Sequence, residues 1–196
     1  MRVLRILLVA VMIGGFTIRV GGCSSAPKPP LYADPQLATM SFETITVLPI
    51  VDARIDKSED FDLEQELGER LESLLADKGY DVERPGDFSD RDRFSHAQVA
   101  AMNDAQLASL GPAAAEPLLV LYLNDASGEV GLGASYNLEA TAVLVSKRSG
   151  EVLWRNKSVQ SIGMGGAAGC MVASQMDGKA SELALKEMFG SFPERI

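Results

Sequence analysis

The stretch that most restricts the fold is Leu118-Leu119-Val120-Leu121-Tyr122-Leu123, an apolar run of strand length with no alternation. A strand with one wet face would alternate apolar and polar residues, so this run predicts a strand covered on both faces, central in its sheet. Gly128 to Gly133 reads as a flexible turn region after it. Tyr136, Leu138, Ala140, Ala142 and Leu144 then alternate with Asn137, Glu139 and Thr141, the period of a long half-buried strand. Ser149-Gly150 predicts a tight turn, and Glu151 to Ser161, with Val152, Leu153 and Trp154, returns as the hairpin partner.

Upstream, Glu43 to Val51 carries Ile45, Val47, Leu48, Ile50 and Val51 and reads as a first strand, ending near Pro49, where a backbone donor is lost. Leu63, Leu67, Leu71, Leu74 and Leu75 recur at helical spacing, with Asp62 and Gln65 as a start signal and Gly79 as a left-handed stop. Glu66 and Arg70, one turn apart with the acid first, add a few tenths of a kcal/mol. Tyr80 to Glu83 is a second short strand, broken by Pro85-Gly86. Asp87 to Phe94 mixes acids and bases and reads as a solvated loop. Ser95 to Leu110 predicts two short helices with Val99, Met102, Leu107 and Leu110 inward, stopped by Gly111-Pro112. Met171 to Phe189 reads as a closing helix. The order β-α-β-α-β-β-β-α predicts an α/β (α+β) domain, a mixed sheet of roughly five strands with helices packed on it.

The first 23 residues have a different logic. Arg2 and Arg5 precede an apolar run from Ile6 to Ile18, too short to span a bilayer, and small residues precede Cys23. Residues 1–22 therefore read as a cleaved signal peptide, 23–41 as a Pro-rich tether and 42–192 as a single α/β domain. Val20-Gly21-Gly22-Cys23 resembles the bacterial lipobox, with Arg19 and Gly21 as departures from its usual pattern. That resemblance implies a diacylglyceryl thioether on Cys23 and an N-acyl chain, such as palmitate, on its freed amine. One acyl chain holds a membrane only marginally, whereas two or three hold it lastingly. Ser24 stands where an Asp would retain the protein in the inner membrane under the enterobacterial sorting rule this resembles, which implies the outer membrane, facing the periplasm. Pro27, Pro29, Pro30 and Pro35 predict an extended, poorly packed tether from Ser24 to about Met40.

Removing residues 1–22, with their three arginines and no acid, leaves 15 basic against 27 acidic residues, a formal balance of −12. Such a chain lacks the basic patch that nucleic acid requires and gains nothing electrostatically from anionic lipid. With Cys23 acylated, Cys170 has no intramolecular disulfide partner and reads as a small packed residue. His96 is the lone histidine, read as a solvent-exposed helix start, and a hydrolase would have to be built from it and Cys170 with no orienting group in view. Asp60 with Asp62, or Asp87 with Asp90 and Asp92, lack the glycine and terminal Glu of a calcium loop, so no metal and no cofactor is expected. Gly163-Met164-Gly165-Gly166 precedes a helix but lacks the Gly-Lys-Ser/Thr ending of a phosphate loop, and reads as a hinge or an apolar contact loop.

Thr46-Val47-Leu48-Pro49 with Asp52, the Leu-rich helix ending Lys78-Gly79-Tyr80, the 118–123 strand, and the hairpin with Ser149-Gly150-Glu151-Val152-Leu153-Trp154 resemble a domain of bacterial envelope proteins. It is the domain shared by the curli secretion lipoprotein CsgG, the amino-terminal part of TolB and the penicillin-binding-protein activator LpoB. The likeness spans about residues 43–190. There is no room for the TolB propeller, and Glu139, Lys147, Arg148, Glu151, Arg155 and Lys157 put too much charge on the hairpin for a lipid-facing barrel strand. The expectation is a non-enzymatic lipoprotein tethered to the membrane, an assembly or interaction component whose partners are other envelope proteins or further copies of itself. A solute-binding or export-accessory subunit is the alternative, and a cleft of convergent polar groups would favour it.

Overall fold

A computed structural model describes residues 28–55, 63–89 and 93–195; the signal peptide, Cys23 and the acids Asp60, Asp62, Asp90 and Asp92 lie outside the described residues. The elements run β1 (Tyr32–Ala33), β2 (Thr44–Val47), β3 (Val51–Asp52), α1 (Leu63–Asp77), β4 (Asp81–Glu83), α2 (His96–Ala100) and α3 (Asp104–Leu107). Then follow β5 (Leu118–Val130), β6 (Gly133–Val145), β7 (Val152–Gly165), α4 (Gly166–Val172) and α5 (Met176–Phe189). The described strands form one sheet in the order β1-β7-β6-β5-β2-β4, with β3 also on β5. β2 and β3 run parallel to β5, β4 runs parallel to β2, and β5, β6, β7 and β1 are successively antiparallel. The predicted mixed α/β sheet is therefore present, with seven strands among the described residues where about five were expected.

Two features account for the difference. Pro49 lacks a donor, and the edge of β5 passes from β2 to β3 across Leu48-Pro49-Ile50, so the expected first strand becomes two. The other added strand, β1, comes from the predicted tether. Tyr32 and Ala33 pair with Arg155 and Trp154, Asp34 N–H donates to the Leu153 carbonyl at 2.8 Å, and Leu37 is buried in the main core. From Tyr32 this segment is held at two points, the short pairing with β7 and the buried Leu37, while the residues between and around them stay exposed or half-exposed. Four prolines in one stretch do not forbid a two-residue edge strand at positions free of proline.

The sheet has two covered faces, as the 118–123 run requires. Leu119, Leu121 and Leu123 join Leu63, Leu67, Leu71 and Leu75 of α1 and Ala180, Ala184, Leu185, Met188 and Phe189 of α5 in the main core. Leu118 and Val120 point the other way, into a smaller core with Val99 of α2, Leu107 of α3, Val143 and Val145. Phe88 is buried there and Phe94 packs against it, so the 87–94 segment is not the wholly solvated loop that its charges suggested. α2 and α3 are each closed by a capping box, Ser95 with Gln98 and Asn103 with Gln106. Gly79, at φ +91°, stops α1 as expected, and Glu66 pairs with Arg70 at 2.8 Å.

β5, β6 and β7 run far past the rest of the sheet as a three-stranded blade. Two bulges set its faces. Asn124 is skipped in the β5–β6 register, which turns Ala126 inward and leaves Asp125 opposite Glu139 on the wet side. In the β6–β7 register Leu153 is skipped, so Leu153 and Trp154 are both buried. Trp154 packs on Phe189 and Phe192, with centroids 5.1 and 5.0 Å away, joining the root of β7 to the end of α5. Trp154→Ala is expected to cost about 3–5 kcal/mol, measured by urea denaturation followed by circular dichroism, since the variant has no tryptophan to report fluorescence.

Candidate functional site

The far end of the blade is assembled from glycines. Gly131 and Leu132 turn β5 into β6, and the predicted flexible region 128–133 is strand up to Val130. Gly163, Met164 and Gly165, expected in a loop, are the last residues of β7, and Gly166, at φ +70°, starts α4. This left-handed residue folds α4 back across the tip, where Gly166 N–H donates to the Leu132 carbonyl at 2.8 Å. A Cβ on Gly169 would lie 1.9 Å from the Met164 carbonyl oxygen, and one on Gly133 2.5 Å from the same atom. The glycines thus serve close backbone contact, and the expected contact loop is a strand end strapped by a helix. The expected closing helix is two helices, α4 and α5, separated by a 3-10 turn at Ala173–Gln175.

This tip is apolar and exposed. Val130 is 68% exposed, Leu132 99%, Met171 81% and Met164 48%. Cys170, expected to be packed, is exposed here, its sulfur 3.7 Å from the Gly131 carbonyl. Residues 130–138 and 158–176 contain no charged side chain. The reading from sequence found Gly163 to Gly166 but missed Val130 and Leu132, because glycines on both sides made them look like an ordinary turn.

Below the tip two edges of the blade have no strand partner among the described residues. β1 covers β7 only at Trp154 and Arg155, and β3 covers β5 only as far as Leu123. Among the described residues no strand pairs with the outer side of β7 from Lys157 to Gly165, nor with that of β5 from Asp125 to Val130. The chain before β1 runs alongside part of this edge. Lys28 pairs with Glu187, whose carboxylate accepts from Ser158 Oγ and Gln160 Nε2, each at 2.5 Å. The Lys28 ammonium and then the Ser158 hydroxyl hold the Glu187 carboxyl below the ordinary range.

The candidate chemistry of the sequence does not converge. His96 is half-buried and oriented, contrary to expectation: its Nδ1 accepts from the Asp52 backbone N–H at 2.9 Å and its ring stands edge-on to Phe88. Asp52 pairs with Leu123 of β5, whereas Cys170 sits beyond Val130, so at about 3.3 Å per residue some 20 Å of strand separates the two. No group of metal-ligating side chains occurs among the described residues, and Asp87 caps its own neighbour, accepting from Phe88 N–H at 2.8 Å. An open groove of about 640 Å³ lies between α1, the end of β7 and the start of α5. Four of its charged side chains pair along its walls, Glu66 with Arg70 and Lys179 with Glu182, whose carboxyl is lowered to about 2 by Lys186 first and then Lys179, while Asp177 accepts from the Gly178 N–H at 2.7 Å. Among the described residues no helix is long and apolar enough to cross a membrane.

No family model matches this chain, and none of the curated proteins does. Among solved structures it is similar to lipoprotein GNA1162 of Neisseria meningitidis, at 17% identity over 69% of this chain and 96% of that one, with a TM-score of 0.46. It is also similar to the PelC dodecamer of Paraburkholderia phytofirmans, at 14% identity, 74% and 88% coverage, and a TM-score of 0.45. A minor lipoprotein of Acinetobacter baumannii matches at 10% identity, 74% and 88% coverage, and a TM-score of 0.36. Likenesses this distant assign this chain neither a family nor a task.

Two outcomes follow from the tip and the N-terminal latch. Gly169→Ala forces α4 off the strand end and is expected to cost about 1–3 kcal/mol, while Gly165→Ala, which meets nothing within 4 Å, stays within about 0.5 kcal/mol; urea titration of both variants checks this. Because the folded Glu187 value is lowered, its contribution is present above the ordinary carboxylate range and lost as pH falls through the lowered value. Lys28 is 77% exposed, so the pair is worth at most about 1 kcal/mol. Glu187→Gln should speed amide exchange at Leu31 and Tyr32 at neutral pH with global stability nearly unchanged, and acid should do the same to the wild type.

Proposed function

We propose that this chain is a non-enzymatic lipoprotein of the bacterial envelope, anchored by acyl chains on Cys23 and acting as an assembly or interaction component. The anchor rests on the Arg-flanked apolar run and on Val20-Gly21-Gly22-Cys23, and the outer membrane rests on Ser24. The likeness to the CsgG, TolB and LpoB domain belongs to the same reading.

The observation that carries the interaction role is the pair of strand edges on the blade, Asp125 to Val130 and Lys157 to Gly165, that no strand among the described residues covers. A long unpaired edge is a template for another strand, and proteins that remain alone blunt it. On the β7 edge charge is confined to Lys157, and from Ser158 to Gly165 there is none to repel a partner strand, whereas the β5 edge carries Asp125 and Glu129. An envelope protein, or a second copy of this chain, adding a strand there would gain main-chain hydrogen bonds along its length. The separation of His96 from Cys170 weighs against hydrolysis by that pair.

An alkyne fatty-acid label fed to cells is expected to mark the wild type and not Cys23→Ala. A photo-crosslinking residue at Ser161 should give a reproducible protein adduct in intact cells, and the same residue at Glu72, on the outer side of α1, should not. Label in both forms removes the anchor. Adducts to lipid alone at Ser161 remove the edge as a protein contact.

A further inference from the structure

The apolar tip and the tether point the same way. β1 is antiparallel to β7, with Tyr32 opposite Arg155 and Ala33 opposite Trp154, so the chain read backward from Tyr32 to Lys28 heads in the direction in which β7 runs toward Gly165. The Lys28–Glu187 pair, beside Ser158 and Gln160, places Lys28 about level with residue 160. From there to Gly165 is five residues of strand, about 17 Å. Five residues also separate Lys28 from Cys23, and at full extension they reach at most about 18 Å. A lipid on Cys23 can therefore come level with the tip.

We propose that the hairpin tip, Val130, Leu132, Met164 and Met171, seats in the interface of the bilayer that holds the lipid anchor. The inference rests on the Cys23 reading above. The chemistry suits a lipid surface. The four side chains are exposed at one end of the blade, and charge is absent from 130–138 and 158–176 in a chain that is 23% charged. With no lysine or arginine at the tip, and an acidic chain behind it, attraction comes from apolar burial and not from anionic headgroups, so zwitterionic lipid suffices. The glycine contacts to Met164 and the Gly166–Leu132 hydrogen bond hold the end of the blade together, so these side chains are presented on a fixed scaffold. Anchor and tip would then give two attachment points on one membrane, standing the blade upright on it with α2 and α3 away from the surface.

The test uses the mature lipidated protein, purified from cells, with Leu132→Cys in a Cys170→Ser background and an NBD fluorophore on the new thiol. The partner sample carries the fluorophore at Ser149→Cys, on the β6–β7 turn at the opposite end. Both are reconstituted into phosphatidylethanolamine–phosphatidylcholine vesicles, with and without lipid spin-labelled near the headgroup. The expected result is a blue-shifted emission at position 132, quenched several-fold more strongly by spin-labelled lipid than at 149, and lost when Met171→Asp and Val130→Asp are added. Equal access of aqueous iodide to both positions would place the tip in water and overturn the inference. A blue shift at 132 without lipid quenching would mean that a second copy or another protein covers the tip, and overturns it as well. Mass spectrometry of the same samples reads the acyl chains on Cys23, so loss of the anchor and failure of the tip are told apart.

Discussion

One-sided burial of β6 is the constraint on which the rest depends. Ala134, Tyr136, Leu138, Ala140, Ala142 and Leu144 all enter the main core, so this strand is covered on one face from tip to root. Its other face divides in two: Ser135, Asn137, Glu139 and Thr141 stay partly wet, while Val143 and Val145 enter the smaller core. The strand therefore needs a helix layer along its whole length on one side and only at its root on the other. α4 and α5 supply the first, α2, α3 and the 88–115 connection the second. Small side chains make the helix approach close: Ala140 and Ala142 on the strand and Ala180 and Ala184 on α5 lie in one cluster with no exposed surface. A sheet-helix layer built on alanines is sensitive to added volume more than to lost volume.

The bulges turn this constraint into a register. A period of two holds only while each residue has one partner, and one skipped residue exchanges the faces beyond it. Leu119, Leu121 and Leu123 face the main core at odd positions, and without the skip at Asn124 the next inward residue would be Asp125. With it, Ala126 enters and Asp125 meets Glu139 outside. Two acids side by side are tolerable only in water, and there Lys157 pairs with Glu139 at 2.7 Å. At the other end the skipped Leu153 lets both Leu153 and Trp154 face inward, and Trp154 then anchors Phe189 and Phe192.

This explains what the sequence made legible. The α1 leucines, the 118–123 run, the 136–144 alternation and the Ser149-Gly150 turn each carry their own period, and each appears in the structure where it was read. Features whose cause is tertiary were not legible. Nothing local marks Tyr32-Ala33 as a strand, because its pairing depends on the root of β7 lying beside it. Phe88 sits in a charged segment, and only the packing of α2 against β3 shows that a core closes over it. The Gly163 to Gly166 run reads as a hinge or an apolar contact loop, since a sequence does not distinguish a glycine that provides freedom from one that provides room. Gly169 is of the second kind, and its neighbour Cys170 is exposed for the same reason: backbone fills the place beneath α4 that side chains would otherwise take.

The same geometry separates the two ends of the molecule in chemical character. At the root Arg155 meets Asp104, and Lys147 Nζ donates to the carbonyls of Leu110, Gly111 and Pro112, so charge is used internally to fasten loops. At the tip, beyond Glu129, there is no charged side chain from Val130 to Leu138 or from Ser158 to Met176, backbone packs on backbone, and large apolar side chains face out. A flexible tip would lose conformational freedom on contact and bind weakly for its area. This one is held by the Gly166 turn and the contacts at Gly133 and Gly169, which lowers the ordering cost of any surface it meets. Exposed methionine and leucine on a pre-ordered end are costly to leave in water, and they stand out at the end of a blade whose inward residues on β6, from Ala134 to Leu144, are all buried. A chain stabilised only for its own fold has no use for that arrangement, whereas one that works against a surface or a neighbour does.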